Sequence, residues 1–169
     1  FAYFCQYGLR AKPYEPAGFT PPEIGTFMHF VLETVAREGK ARGGFSAVDN
    51  EQLKALTAAA VAEYVHTELN DMQEKTPRFV YLFHRLTVDV ERVVMDMAEE
   101  LRRSDFEPLD FELDFADRDA FPPLELGEGD SSLILTGVAD RVDGWEHGGK
   151  LYLRVADYKT GHKKFSLSD

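Results

Sequence analysis

The sequence predicts an α+β fold in which N-terminal helices pack on a small mixed sheet. Three observations carry that expectation. Hydrophobic residues recur every three or four positions through residues 23–103, and the period changes to two after Ser104. Capping and breaking residues punctuate the helical segments at their ends. The 169 residues, 44% hydrophobic and 29% charged, suffice for one core and are few for two. One domain over 1–169 is expected, made of an aromatic and proline-rich arm (1–22), a helical part (23–104) and a strand part (105–169).

The arm carries Phe1, Tyr3, Phe4, Tyr7, Tyr14 and Phe19 among Pro13, Pro16, Pro21 and Pro22, and reads as an irregular segment or short helix that packs on something. The first helix is placed at Glu23–Glu38, where Ile24, Phe27, Val31 and Val35 share a stripe and Gly39 acts as the stop. Gly43-Gly44 breaks the chain. A second helix is expected from Asp49 to Met72 on Leu53, Leu56, Ala60, Tyr64 and Leu69. Thr76-Pro77 starts a third, the threonine capping and the proline filling the first turn, and it runs to Arg103 through Phe83, Leu86, Val90, Val94, Met97 and Leu101. Residues 106–116 alternate around Leu109, Phe111, Leu113 and Phe115 as a half-exposed strand, and 117–130 read as an acidic loop. Two further strands, Leu133–Asp143 and Leu151–Thr160, follow as a hairpin.

Charge and composition narrow the function. The chain holds 19 Lys and Arg against 30 Asp and Glu, a net −11. Residues 137–169 contain six basic and five acidic side chains, so residues 1–136 carry 13 against 25. The acidity therefore lies away from the C-terminal segment and does not oppose a polyanion there, although this piece alone is expected to bind DNA weakly. A single cysteine, Cys5, excludes an internal disulfide framework or a multi-cysteine metal cluster within these residues. No apolar run reaches the roughly 18 residues that span a bilayer, and no secretory signal opens the chain. A start on Phe1 suggests a piece of a longer cytoplasmic protein.

The final hairpin holds the most chemistry. Side chains alternate along a strand, so Asp157 and Lys159 continue the face of Leu151, Leu153 and Val155. In the preceding strand Ile134, Val138, Asp140 and Val142 share a face. A two-residue turn at Gly148-Gly149 sets Asp140 opposite Asp157, with Cβ atoms about 5 Å apart. Two opposed carboxylates raise each other's pKa and destabilise a sheet unless a cation compensates them. Lys159 as a salt-bridge partner is one account; a bound divalent cation held by oxygen ligands is the other.

The motifs GVADRVD (137–143) and DYKTG (157–161), with IGTFMH (24–29) upstream, resemble the RecB-like branch of the PD-(D/E)XK nucleases. FAYFCQYGLR at the start, RRSDFEPLDFELDF in the middle and KKFSLSD at the end extend that likeness to the nuclease domain of AddB-type helicase–nuclease proteins, across essentially the whole chain. The resemblance implies a restriction-endonuclease-like core that hydrolyses phosphodiesters with Mg²⁺ or Mn²⁺, by in-line attack of an activated water. It implies His29, Asp140, Asp157 and the backbone carbonyl of Tyr158 as metal ligands, and Lys159 as the catalytic lysine. Glu112, in FELDF, is a secondary candidate near the metal, read first as structural or substrate-orienting. The implied substrate is single-stranded DNA from an unwound duplex. The implied setting is the bacterial cytoplasm, alongside a helicase–nuclease partner in double-strand-break repair and away from any membrane.

Candidate DNA contacts are Arg141, which reads equally as a loop anchor, and Lys163 and Lys164, which read also as a solvated end. Trp145 is read as packing over the hairpin rather than stacking a base, and His66, His84, His147 and His162 as ordinary helix or loop residues. The family's iron–sulfur cluster is expected only in a full-length parent, and Cys5 is not assigned to it. The family's next helix, which lines the active site, would follow Asp169, so this piece is expected to hold metal ligands yet cleave poorly. No G-x-x-x-x-G-K-[ST] is present, so any ATP-driven unwinding is placed elsewhere. Two rival readings stand: an inactive nuclease fold kept for DNA binding or subunit docking, and a stand-alone RecB-like exonuclease.

Overall fold

The computed structural model describes residues 3–8, 18–73, 75–114, 124–126 and 133–159. Three helices, α1 (Pro21–Ala41), α2 (Asn50–Thr67) and α3 (Pro77–Arg102), precede the strands β1 (Glu107–Asp114), β2 (Leu124–Leu126), β3 (Leu133–Leu135), β4 (Val138–His147) and β5 (Lys150–Ala156). The architecture is mixed α+β, as the sequence predicts.

Each helix starts where a side chain satisfies orphan backbone groups. Thr20 donates its N–H to Glu23 Oε2 at 2.7 Å ahead of α1, and that bond holds the Glu23 carboxyl below its ordinary pKa. Asp49 and Gln52 exchange bonds at 2.8 and 3.1 Å ahead of α2. Thr76 Oγ1 accepts the Phe79 N–H at 3.2 Å ahead of α3. The helix stop is displaced from expectation. Gly39 is not the end of α1 but a buried residue under Phe45, whose ring sits 3.0 Å from where a Cβ would be. The break falls at Gly43 and Gly44, both at positive φ. Helix α2 ends at Thr67 rather than Met72, because Asn70, Asp71 and Met72 turn into the left-handed region.

The core lies between the helices. Phe27, Val31 and Val35 of α1 meet Leu53, Ala60 and Tyr64 of α2 and Phe83, Val90 and Val94 of α3, with Phe111 of β1 closing one side. The end of α3 fastens the α1–α2 connection: Arg102 donates to the Phe45 and Val48 carbonyls at 3.0 and 2.6 Å and to Asn50 Oδ1 at 2.8 Å. In the arm, Phe4–Gly8 forms one π-helical turn with Tyr3, Phe4 and Tyr7 exposed, and Phe19 packs on Phe79 with ring centroids 4.4 Å apart. The Cys5 side chain and residues 9–17 lie outside the described residues.

Among the described residues the main sheet has the order β1-β4-β5 and is antiparallel throughout, where a mixed sheet is expected from sequence. The stretch read as an acidic loop contains β2, which pairs with β3, and the expected strand 133–143 divides at Thr136-Gly137 into β3 and β4. The hairpin register agrees with the sequence: His147 pairs with Lys150 and Arg141 with Ala156, around Gly148 and Gly149 at φ 60° and 71°. Strand β1 departs from simple alternation. A register shift between Pro108 and Asp110 turns Leu109 outward, where it lies over Gly144. Phe111 keeps its buried place. Helix α1 grips this edge strand through Lys40 Nζ on the Leu109 carbonyl at 2.7 Å and Arg37 Nη2 on the Phe111 carbonyl at 3.3 Å.

Candidate metal centre

Helix α1 delivers His29 to the sheet, and β4 delivers Asp140. His29 Nε2 lies 2.9 Å from the Tyr158 carbonyl oxygen. A carbonyl only accepts, so the imidazole proton on that contact sits on Nε2. The other ring nitrogen, Nδ1, then faces two carboxylates, Asp140 Oδ1 at 3.5 Å and Glu112 Oε1 at 3.7 Å. A nitrogen lone pair confronting two acceptors calls for a cation or a proton between them. One donor atom each from His29, Glu112 and Asp140 lies within 4.8 Å of the other two.

Two further features hold this cluster. Asp140 is 8% exposed, and its Oδ2 accepts the Tyr158 N–H at 2.5 Å. Glu112 occupies the left-handed region at φ 51°, a conformation that costs a β-strand residue about 1–3 kcal/mol. By the register of its neighbours it stands opposite Asp140 on β4. Glu112 therefore stands within the candidate cluster, a stronger place than the secondary one expected of it. The signal is the β1–β4 register, which no local motif encodes.

Asp157 and Lys159 follow the last ladder pair of β5. Asp157 Oδ1 and Lys159 Nζ form an ion pair at 2.6 Å. That bond, with the charges of Asp157 and Asp140, holds the lysine above its ordinary pKa. Lys159 is thus a cation throughout the neutral range. The Tyr158 carbonyl, expected as a ligand, here orients His29.

Arg141 differs from its expected role as a DNA contact. It is 1% exposed, and its guanidinium turns inward: Nε lies 2.8 Å from Asp143 Oδ1 and Nη1 donates to the Tyr158 hydroxyl at 2.7 Å. The phosphate-contact reading is corrected, since a group so enclosed presents no face to a strand. Trp145 packs over the hairpin with Phe106, Tyr152 and His147 at ring distances of 5.9, 5.2 and 4.9 Å, as expected. His66 pairs with Asp71 at 3.1 Å on the surface. Lys163, Lys164 and His162 lie outside the described residues.

An open cleft of about 530 Å³ runs along α1 beside the cluster, lined by Gly25, Thr26, His29, Phe30, Glu33 and Glu112. Glu33 lies one helical turn after His29 and binds Arg37 at 2.8 Å. No motif marks it in the sequence; its only signal there is the i, i+4 spacing from His29.

Helices backing a small sheet whose strands carry Glu112 and Asp140 to a helical histidine are consistent with the PD-(D/E)XK fold. The PD-(D/E)XK nuclease superfamily pattern matches residues 1–169, and the chain belongs to that superfamily. Over its whole length it is also similar to proteins named as subunits of an ATP-dependent helicase/deoxyribonuclease, with 32% identity to that of Clostridioides difficile, 36% to that of Caldanaerobacter subterraneus and 37% to that of Acetivibrio thermocellus. The chain spans 15% of the length of each of these relatives.

Proposed function

We propose that this chain is the nuclease module of a helicase–nuclease subunit, cutting DNA single strands with a divalent cation during double-strand-break repair. The observation that carries the reading is the convergence of His29 Nδ1, Glu112 and Asp140 on one small volume, with Lys159 near enough for the Asp140 charge to help raise its pKa. A nitrogen and carboxylate oxygens suit Mg²⁺ or Mn²⁺, and an imidazole suits Mn²⁺ the better. His29, Glu112 and Asp140 would hold the ion, with Asp157 as a further oxygen donor and the Tyr158 carbonyl holding the imidazole in place.

When bound, such a cation supplies Lewis-acid polarisation of a phosphate and lowers the pKa of a water. The chain's own groups do the rest. Water attacks phosphorus, the P–O bond to one deoxyribose oxygen breaks, that oxygen takes up a proton in place of the one the water gives up, and the products are a phosphate monoester and a sugar hydroxyl. Lys159, protonated at neutral pH, stands by to neutralise the charge that develops on the phosphate oxygens. The α1 cleft offers the strand an approach to the cluster. The helicase partner supplies unwound DNA, and the setting is the bacterial cytoplasm; among the described residues no helix is long and apolar enough to cross a membrane.

The test is cleavage of labelled single- and double-stranded DNA by the full-length protein with Mg²⁺, Mn²⁺ or chelator. Single-strand products that vanish with chelator and in Asp140→Ala and Lys159→Ala are expected. Cleavage that survives either substitution would overturn the site. Tight DNA binding without cleavage would favour the docking-module reading.

A further inference from the structure

Tyr158 joins two faces of the hairpin. Its backbone N–H meets Asp140 Oδ2 and its backbone carbonyl meets His29 Nε2. Its ring stands edge-on to the His29 imidazole, 6.1 Å between centroids, and turns its hydroxyl toward α3. There the hydroxyl accepts from Arg141 Nη1 at 2.7 Å and donates to Met97 Sδ of α3 at 3.3 Å, and the Arg141 guanidinium sits 5.7 Å from the ring centroid. The β4–β5 ladder has already ended at Arg141↔Ala156. Sheet hydrogen bonds therefore do not fix the Tyr158 backbone, which is held by its bonds to Asp140 and His29 and by its anchored side chain.

Arg141 is itself immobilised. Asp143, 0% exposed, accepts through Oδ2 from Arg141 Nη2 at 3.0 Å and from Arg154 Nε at 2.9 Å, and Arg154 Nη1 reaches Glu100 Oε1 of α3 at 2.6 Å. Two guanidinium groups and two carboxylates thus form a neutral network under β4.

We propose that Arg141 is a positioning residue for the metal centre: through the Tyr158 hydroxyl it fixes the one residue whose backbone N–H and carbonyl orient Asp140 and His29. The inference rests on the metal-centre reading above. Partners that orient a ligand from behind typically change metal affinity 10–100-fold when lost, because the ligand then samples other orientations. Tyr158→Phe removes only the hydroxyl and leaves the ring and peptide in place. Arg154→Gln removes the outer guanidinium of the network but leaves Arg141 bonded to Asp143 and to the Tyr158 hydroxyl, and so reports what loss of packing alone does.

The measurement is Mn²⁺ binding to the intact full-length protein, counted as the portion that Asp140→Ala abolishes, beside thermal unfolding of each variant. Tyr158→Phe is expected to raise the Mn²⁺ Kd about tenfold, while Arg154→Gln lowers the thermal midpoint at least as much and leaves Kd within about twofold. An unchanged Kd in Tyr158→Phe would overturn the positioning role. So would equal losses of affinity in both variants, which would mark the network as structural only. A wild-type protein with no Asp140-dependent Mn²⁺ binding would instead overturn the metal centre, and the positioning role with it.

Discussion

Asp140 and Arg141 are neighbours on β4, and the pleat sends them to opposite faces with opposite electrostatic outcomes. Beneath Arg141 the charges cancel: Arg141 and Arg154 are matched by Asp143 and Glu100, at distances of 2.6 to 2.8 Å for the closest pairs. Around Asp140 they do not. Asp140 and Glu112 face one imidazole, which points its lone pair at their oxygens, and the lysine nearby is already paired with Asp157. A charged cluster that serves only stability is expected to neutralise itself, since each unmatched charge costs desolvation and repulsion. A cluster left unbalanced within one residue of a balanced one has the charge and the donor atoms that suit a cation. The contrast separates anchor from site better than any single residue does.

The largest expected effect breaks the balanced side. Asp143→Ala leaves two guanidinium groups without their shared carboxylate, Arg141 being buried, and should cost about 3–5 kcal/mol in urea unfolding. Asp140→Asn tests the other side, where little loss is expected. It removes one of the two carboxylates that converge on His29 yet keeps an oxygen to accept the Tyr158 N–H, so metal-free stability should stay within about 1 kcal/mol of wild type. Comparable losses in the two variants would erase the distinction between anchor and site.

Next in size is the effect of the cation itself. Mn²⁺ at a hundred times its Kd should stabilise the wild-type protein by about 2.7 kcal/mol and leave Asp140→Asn unmoved, read as a shift in thermal midpoint. Stabilisation that persists in Asp140→Asn would place the ion elsewhere.

The same contrast explains what is legible in the sequence. The hairpin register can be read because Gly148-Gly149 is a local signal, and Thr76-Pro77 fixes the start of α3 for the same reason. His29 and Asp140 can be paired only through family likeness, since 111 positions of chain separate them. The burial of Arg141 is illegible. The sequence leaves it between a loop anchor and a DNA contact, because nothing local shows that Asp143 and the Tyr158 hydroxyl enclose its guanidinium. Glu112 reads as secondary for a related reason: a bulge at Pro108–Asp110 and a left-handed residue inside a strand leave no trace in hydrophobic alternation. Gly39, which reads as a stop, is a packing glycine because a distant phenylalanine needs its space.

A smaller effect probes the strain beside the unbalanced side. Glu112→Gly relieves a left-handed conformation that costs about 1–3 kcal/mol and loosens the unfolded chain by roughly 0.5–1 kcal/mol, so a net gain of about 1 kcal/mol is expected without metal. The same variant should weaken Mn²⁺ binding, because a carboxylate donor is gone. Stability and affinity moving in opposite directions would identify strain kept for the site. A variant that is both less stable and unchanged in affinity would show Glu112 to be structural.

The smallest effect concerns alkaline pH, where both faces titrate in the same direction for different reasons. Burial pushes the Tyr158 phenol above its ordinary pKa, with Arg141 beside it pulling the other way. The bond to Asp157 pushes Lys159 up. A group whose folded pKa is raised binds its proton more tightly in the native state, so its contribution is complete below the unfolded value and disappears as pH climbs through the folded one. Stability should therefore be flat through neutral pH and fall above the ordinary lysine and tyrosine range. Tyr158→Phe should remove the buried phenol's share of that fall, whereas Lys159→Ala should change it little, because its ion pair is solvent-exposed and screened. Unfolding midpoints across that alkaline range decide the matter. A larger share for Lys159 than for Tyr158 would mean that the metal-side charges are coupled more tightly than their exposure implies, and that the two faces differ less than their geometry suggests.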